Sequence, residues 1–229
     1  MKFTPPLPVR AVMIDLDGTL LDTIPDLAVA ANMMLNELGR PALPEATIRN
    51  FVGKGINNLI ERTLTNSMNG KPDPDLFKQA LPIYDRCYKS VNGKHTTMYA
   101  GVQEGLDALR AQGFPLACVT NKSERFTLPL LDYVSISQYF KVVVAGDTLP
   151  QKKPEPEPLL YACGKLGVQP HEMLMIGDSM NDAQAARAAG CPVFCVTYGY
   201  NEGHDVQTLD VDAIVASLVD AIPLILKVN

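Results

Sequence analysis

Two aspartates, Asp15 and Asp17, flank Leu16 immediately after the apolar run Val9 to Ile14 and are followed by Gly18 and Thr19. A carboxylate placed like Asp15 can act as a nucleophile and form an aspartyl-phosphate. A second one, Asp17, can protonate a leaving alkoxide and later take a proton from attacking water. Three further sets come after apolar runs. Thr120-Asn121-Lys122 follows Phe114 to Val119, Lys152-Lys153-Pro154 comes after Val142 to Ala145, and Gly177-Asp178-Ser179-Met180-Asn181-Asp182 follows Met173 to Ile176. The Thr120 hydroxyl and nearby backbone N–H groups can bind phosphate oxygens. Lys153 can neutralise charge on a phosphoryl group and on the nucleophile. Carboxylates gathered in one pocket repel one another unless a cation joins them. Hard oxygen ligands beside a phosphate favour Mg²⁺, with Asp15 and Asp178 as direct ligands and Asp182 behind them.

Each set has a plainer reading by itself. Asp17-Gly18 could be a polar turn, Lys152 to Pro156 a solvated helix entry, and Asp178 or Asp182 a helix cap. Their joint placement is harder to attribute to turns, and it depends on the elements that hold them. The four runs, with a fifth at Val193 to Val196, alternate with helical patterns at Val102 to Gln112, Glu124 to Asp132, Pro156 to Leu166 and Asp182 to Ala189. Gly113, Gly167 and Gly190 sit where helices should end. Such alternation predicts a parallel sheet covered on both faces, with ligands beyond the carboxyl ends of its strands.

Between the first two runs lie roughly 90 residues, far more than a crossover needs. The interval reads as helical: Pro25 to Leu38, Pro44 to Val52, Ile56 to Leu64 and Pro74 to Ser90, with prolines suited to first turns. The expected organisation is therefore an α/β, Rossmann-like core formed by residues 1–22 and 93–229, interrupted by a helical cap at 23–92.

With its four motifs in order, Asp15-x-Asp17-Gly18-Thr19, Thr120-Asn121, Lys153-Pro154 and Gly177-Asp178-Ser179-x-x-Asp182, the chain resembles the haloacid-dehalogenase-like phosphohydrolases. The resemblance spans the whole core. It implies Asp15 as nucleophile, Asp17 as general acid and base, and Thr120-Asn121 with Lys153 at the phosphate. It also implies a metal held by the Asp15 carboxylate, the Asp17 backbone carbonyl and Asp178, and it makes the insertion the family's helical cap. Further similar stretches, Phe51 to Gly55, Cys118 to Lys122, Leu149 to Pro154 and Thr197 to Asn201, imply 2-phosphoglycolate as substrate. Ala100 departs from the pattern, which usually has proline there, near the cap hinge. The substrate's carboxylate then needs a receptor, and Gly53-Lys54-Gly55 offers close backbone approach and a charge. Two alternatives share this core, a sugar-phosphate mutase and a phosphonate hydrolase using a cap lysine such as Lys54. A phospho-accepting signalling receiver also combines acidic residues, Thr and Lys, but is shorter and carries its acceptor after a middle strand.

Composition narrows the classes further. The 229 residues are 47% hydrophobic and 20% charged, which suits a folded chain of one or two domains. Twenty Lys and Arg against 25 Asp and Glu leave a net charge of -5, without the basic excess of a nucleic-acid binder. The most apolar stretch, Val211 to Val228, is broken by Asp212, Asp220 and Pro223, so no membrane span is expected. Met1 to Pro8 has three prolines and no apolar h-region of a signal peptide. The five cysteines form no CxxC pair and read as buried thiols. The expectation is a cytoplasmic enzyme, monomer or homodimer, that takes a small phosphomonoester and binds neither nucleic acid nor membrane.

Overall fold

The computed structural model describes residues 4–228, so residues 1–3 and 229 of the expected core lie outside the described residues. The first apolar run divides at Arg10. Leu7–Val9 (β1) pairs in parallel with Ile225–Lys227 at the end of the chain, while Ala11–Ile14 (β2) enters the main sheet. Along β2 the side chains alternate between two clusters. Val12 and Ile14 join Val102, Leu106 and Leu130 on one face, and Ala11 and Met13 join Leu159, Ala162 and Ala185 on the other. Both faces are buried, which is why the strand reads as a continuous apolar run.

Leu21–Asp22 (β3) then pairs antiparallel with Thr97–Met98 (β4), and this short ribbon carries the chain out of the core and back. Between them lie four helices, Ile24–Glu37 (α1), Glu45–Phe51 (α2), Ile56–Thr65 (α3) and Pro74–Val91 (α4). They bury their own apolar cluster around Met34, Ile48, Ile60, Tyr84 and Tyr88, and two residues from outside the insertion, Phe126 and Tyr200, close it. The insertion is thus a small helical cap with its own core.

The rest alternates as expected: Val102–Ala111 (α5), Leu116–Val119 (β5), Glu124–Tyr133 (α6), Phe140–Val144 (β6), Glu157–Leu166 (α7), Met173–Gly177 (β7), Met180–Ala189 (α8) and Val193–Val196 (β8). Gly113, Gly167 and Gly190 all end helices with φ of 77°, 68° and 77°. Ala213–Val215 (β9) adds an edge strand that the sequence pattern does not announce, and Leu218–Ala221 (α9) packs on α5 before Ile225–Lys227 (β10) closes the chain. The six-stranded sheet is parallel throughout, in the order β6-β5-β2-β7-β8-β9. The chain builds outward from β2 to β6, then returns to the other side at β7. That reversal beside β2 is where a crevice opens at the strand ends. Among the described residues, no helix is long and apolar enough to cross a membrane. The five cysteines are buried and free.

Candidate active site

The loops after β2, β5, β6 and β7 bring their polar residues to one buried cleft under the cap. Lys153 is at its centre. Its ammonium donates three hydrogen bonds of 2.7 Å, to Asp15 Oδ1, to Asp182 Oδ1 and to the Val119 carbonyl. Burial alone would lower the Lys153 pKa, but Asp15 and Asp182 outweigh it and hold the group charged. Asp182 is fixed in turn by Ser179, whose N–H and hydroxyl donate to Oδ2 at 3.2 and 2.9 Å at the start of α8. Asp182 therefore caps a helix and orients Lys153 with the same carboxylate.

Asp178 accepts from the Thr19 hydroxyl at 3.0 Å and from the Tyr200 N–H at 2.6 Å. Two glycines make room for it. A Cβ on Gly18 would lie 2.3 Å from Asp178 Oδ2, and one on Gly199 would lie 2.4 Å from the Gly18 carbonyl. Both glycines have φ near +100°, at 92° and 100°, a region that side chains disfavour.

Asp15, Asp178 and Asp182 each offer an oxygen within 4.8 Å of the others, and all three are buried. One ammonium touches two of them, so the cluster holds three carboxylates against a single cation. The imbalance shows in the acidities. Burial pushes Asp15 up to about 7, despite the opposing pull of Lys153, and burial with the neighbouring Asp182 and Asp15 raises Asp178 well above the carboxylate range. An all-oxygen, anionic, desolvated donor set of this kind fits a hard divalent cation.

Asp17 stands apart from that cluster. Its Oδ1 accepts from the Thr23 hydroxyl at 2.7 Å and from the Lys122 ammonium at 3.0 Å. Lys122 also donates to the hydroxyl of Tyr88 on α4. The two Asp side chains of the first motif thus have separate cations, Lys153 for Asp15 and Lys122 for Asp17.

The remaining expected residues divide. Thr120 lines the cleft, and its hydroxyl oxygen accepts from the Lys122 N–H at 3.2 Å, while its O–H has no acceptor among the described residues. The Asn121 amide is spent elsewhere. It accepts from the Lys153 N–H at 3.0 Å and donates to the Lys153 and Gly53 carbonyls at 2.8 and 2.9 Å, tying the cap loop to the core. Gly53 and Gly55 line the cleft, but Lys54 does not: its ammonium lies 3.7 Å from Glu202, with the side chain 43% exposed. The charge in that loop points to the rim rather than to the cleft.

Four residues outside the motif positions complete the site. Lys122 was legible as the third member of Thr120-Asn121-Lys122, yet nothing in its spacing shows that it reaches Asp17. Tyr88 carries no sequence signal beyond helical periodicity. Tyr200 binds Asp178 through its N–H and Asp22 through its hydroxyl at 2.6 Å, and it accepts from the Thr23 N–H at 2.7 Å, so it joins the carboxylate cluster to the hinge. Asp26, fully buried, accepts from the N–H groups of Gly93, His95 and Thr96 at 2.9 to 3.0 Å and anchors the return strand of that hinge. With Arg62 of α3 bound to Glu202 at 3.0 Å and Arg49 of α2 donating to the Gly199 carbonyl at 3.1 Å, the cap is held shut on the core. The cleft holds a cavity of about 50 Å³, partly open to solvent, with an apolar roof of Leu27, Val52, Ile56 and Leu59.

Residues 12–196 match the Haloacid dehalogenase-like hydrolase family. Over 222 residues the chain is 62% identical to a phosphoglycolate phosphatase of Nitrosospira multiformis, covering 97% of this chain and 98% of that one. It is 53% identical, over the same shares, to a phosphoglycolate phosphatase of Thiobacillus denitrificans. Among solved structures, that of a predicted phosphoglycolate phosphatase from Haemophilus somnus superimposes with a TM-score of 0.88 at 34% identity, over 93% of this chain and 96% of that one.

Proposed function

The chain belongs to the haloacid dehalogenase-like hydrolase family, and from that premise we propose that it is a Mg²⁺-dependent phosphatase converting 2-phosphoglycolate to glycolate and phosphate. The observation that carries this reading is the pairing of two carboxylates with two different cations across one small cleft under the cap. Asp15, held by Lys153, has an Oδ2 with no hydrogen-bond partner among the described residues, and this oxygen attacks phosphorus. The bond from phosphorus to the ester oxygen breaks, and Asp17 gives that oxygen its proton, so glycolate leaves and Asp15 is phosphorylated. Water, giving its proton to Asp17, then attacks the same phosphorus and returns Asp15 and free phosphate. The Thr120 hydroxyl meets a phosphoryl oxygen, and the charge of Lys153, held on Asp15 and Asp182, offsets the charge that develops beside it. A cation at Asp15, the Asp17 carbonyl and Asp178, with Asp182 behind them, would neutralise the carboxylates and the phosphate together.

Size supports the small substrate. A cavity of about 50 Å³ is room for roughly four waters, which favours a small phosphomonoester. We place the cap boundaries at 22/23 and 92/93, with the helical insertion lying between the two strands of the β3–β4 ribbon. We place the enzyme in the cytoplasm, as a monomer or homodimer. A signalling receiver is set aside by the family, and a phosphonate hydrolase using Lys54 is disfavoured because that ammonium lies outside the cleft. The test is phosphate release from 2-phosphoglycolate, glucose 6-phosphate and glucose 1-phosphate with Mg²⁺ and with chelator. Phosphoglycolate should be strongly preferred and chelator should stop turnover. Equal rates on the three esters would remove the substrate assignment, and interconversion of the glucose phosphates would replace it with a mutase.

A further inference from the structure

The reaction proposed above leaves the substrate's own carboxylate without a receptor, and the cations of the site can be counted. Among the described residues that line the cavity, only Lys122 and Lys153 are cationic. An ammonium has three donors. Those of Lys153 are all used, on Asp15, Asp182 and Val119. At the rim, Lys54 and Arg62 face Glu202, Arg49 donates to Gly199, and the exposed Lys152 lies over Gly55, its ammonium 3.3 Å from where a Cβ there would sit. Lys122 differs. Its side chain is 2% exposed, and it donates to Tyr88 and to both oxygens of Asp17, at 3.0 Å to Oδ1 and at a long 3.4 Å to Oδ2, so the long contact is the one a substrate carboxylate can take over.

Distance makes the same selection. To protonate the leaving group, Asp17 must touch the ester oxygen. In phosphoglycolate the carboxylate is separated from that oxygen by a single methylene, so it must lie beside Asp17. The Lys122 ammonium is 3.0 Å from Asp17 Oδ1, and therefore lies within reach of that carboxylate. We infer that Lys122, braced by the Tyr88 hydroxyl, is the receptor for the leaving-group carboxylate and sets the preference for phosphomonoesters that carry one next to the ester carbon. This rests on the phosphoglycolate reading and gives it a residue. Under the apolar roof of Leu27, Val52 and Leu59, an ester without the carboxylate leaves the buried Lys122 ammonium without the anionic partner it is placed to meet, which is how a polar site rejects an apolar analogue.

The experiment compares kcat/KM for 2-phosphoglycolate and for ethyl phosphate, which has a methyl in place of the carboxylate, in wild type, Lys122→Met and Lys122→Arg. Lys122→Met should slow both esters, since Asp17 loses a partner. Phosphoglycolate should fall by roughly 10²-fold more than ethyl phosphate, mainly through KM, as expected when one member of a buried charge pair is removed. Lys122→Arg should recover part of the preference. Equal losses on the two esters would overturn the inference and reduce Lys122 to a positioning residue for Asp17, while a wild-type preference for phosphoglycolate would leave the substrate reading standing. No preference in the wild type would defeat both. Should Lys122→Met turn over neither ester, calorimetric binding of phosphoglycolate to Asp15→Asn with and without Lys122→Met decides. A loss of roughly 10²-fold supports the receptor and unchanged binding overturns it.

Discussion

The floor and the roof of the cleft are built on opposite principles. The floor comes from strand ends and is almost entirely charge: Asp15, Asp178 and Asp182 around Lys153, each touching another member or a backbone donor. The roof comes from cap helices and is almost entirely apolar, with the Tyr88 hydroxyl and the backbone at Gly53 and Gly55 as its polar features. A phosphoryl group is common to every substrate of such an enzyme, whereas the leaving group varies. The floor therefore fixes the reaction, and the residues between floor and roof sort the leaving groups. Substitutions in the floor should act alike on all esters, and those higher up should act differently on different ones.

The largest effect is expected from the floor. Asp15→Asn removes the nucleophile and one member of the carboxylate cluster, and should cost on the order of 10⁴-fold or more in kcat for every ester. Retention of turnover within tenfold would break the division at its base. Asp17→Asn comes next and sharpens it, because Asp17 meets the leaving group rather than the phosphoryl group. A loss of ~10²–10⁴-fold is expected on phosphoglycolate, and a clearly smaller one on p-nitrophenyl phosphate, whose phenolate leaves without help. Parallel losses on the two would place Asp17 with the floor.

The same division governs what was legible in the sequence. Asp15, Thr120, Lys153 and Asp178 each follow an apolar run, and a parallel sheet brings such positions together whatever lies between them. The main strands were readable because burial on both faces leaves a continuous apolar run, and the helices because one-sided burial leaves a period in the chain. The ribbon β3–β4, the edge strand Ala213–Val215 and the pair β1–β10 are two or three residues each, too short to show one. Contacts between floor and cap were not legible at all. Lys122 meeting Tyr88, Tyr200 meeting Asp22 and Thr23, and Asp26 meeting the 93–96 segment depend on how two bodies dock, which spacing along one chain does not encode. Lys54 shows the converse: glycines and a charge in one loop suggested a receptor, but Glu202, distant in sequence, draws that charge to the rim.

Charge crowding in the floor should also be visible without any substrate. Asp15 is raised from 3.8 to about 7 by burial, and Asp178 is raised as well. A carboxyl whose native pKa exceeds its unfolded one stabilises the fold while protonated, fully below about pH 4, and that contribution is lost as pH rises through about 7. Chelator-treated protein should therefore lose thermal stability across that window. Mg²⁺ binds the ionised cluster, so its increment in Tm should be larger near pH 8 than near pH 5. Calorimetric scans at both pH values, with Mg²⁺ and with EDTA, check this. An increment independent of pH would mean that the cation binds elsewhere.

The smallest effect belongs to the rim, where the sequence had suggested a large one. Lys54 is about half exposed, and its partner Glu202 keeps a closer contact with buried Arg62, 3.0 Å against 3.7 Å. An exposed pair of that kind is worth ~0–1 kcal/mol, and Glu202 remains compensated by Arg62 when Lys54 is removed. Lys54→Ala should thus change KM for phosphoglycolate by no more than about fivefold, with kcat and the ratio to ethyl phosphate unchanged. Glu202→Gln is the harsher change, because it removes the one charge paired with buried Arg62 and leaves it neutral acceptors only, the Phe51 and Met68 carbonyls of the cap among them. It should loosen closure and raise KM for both esters alike, since the latch touches neither leaving group. A rise in KM with Lys54→Ala confined to phosphoglycolate would return the carboxylate to the Gly53-Lys54-Gly55 loop and extend the selective region from the Asp17–Lys122 pair out to the rim.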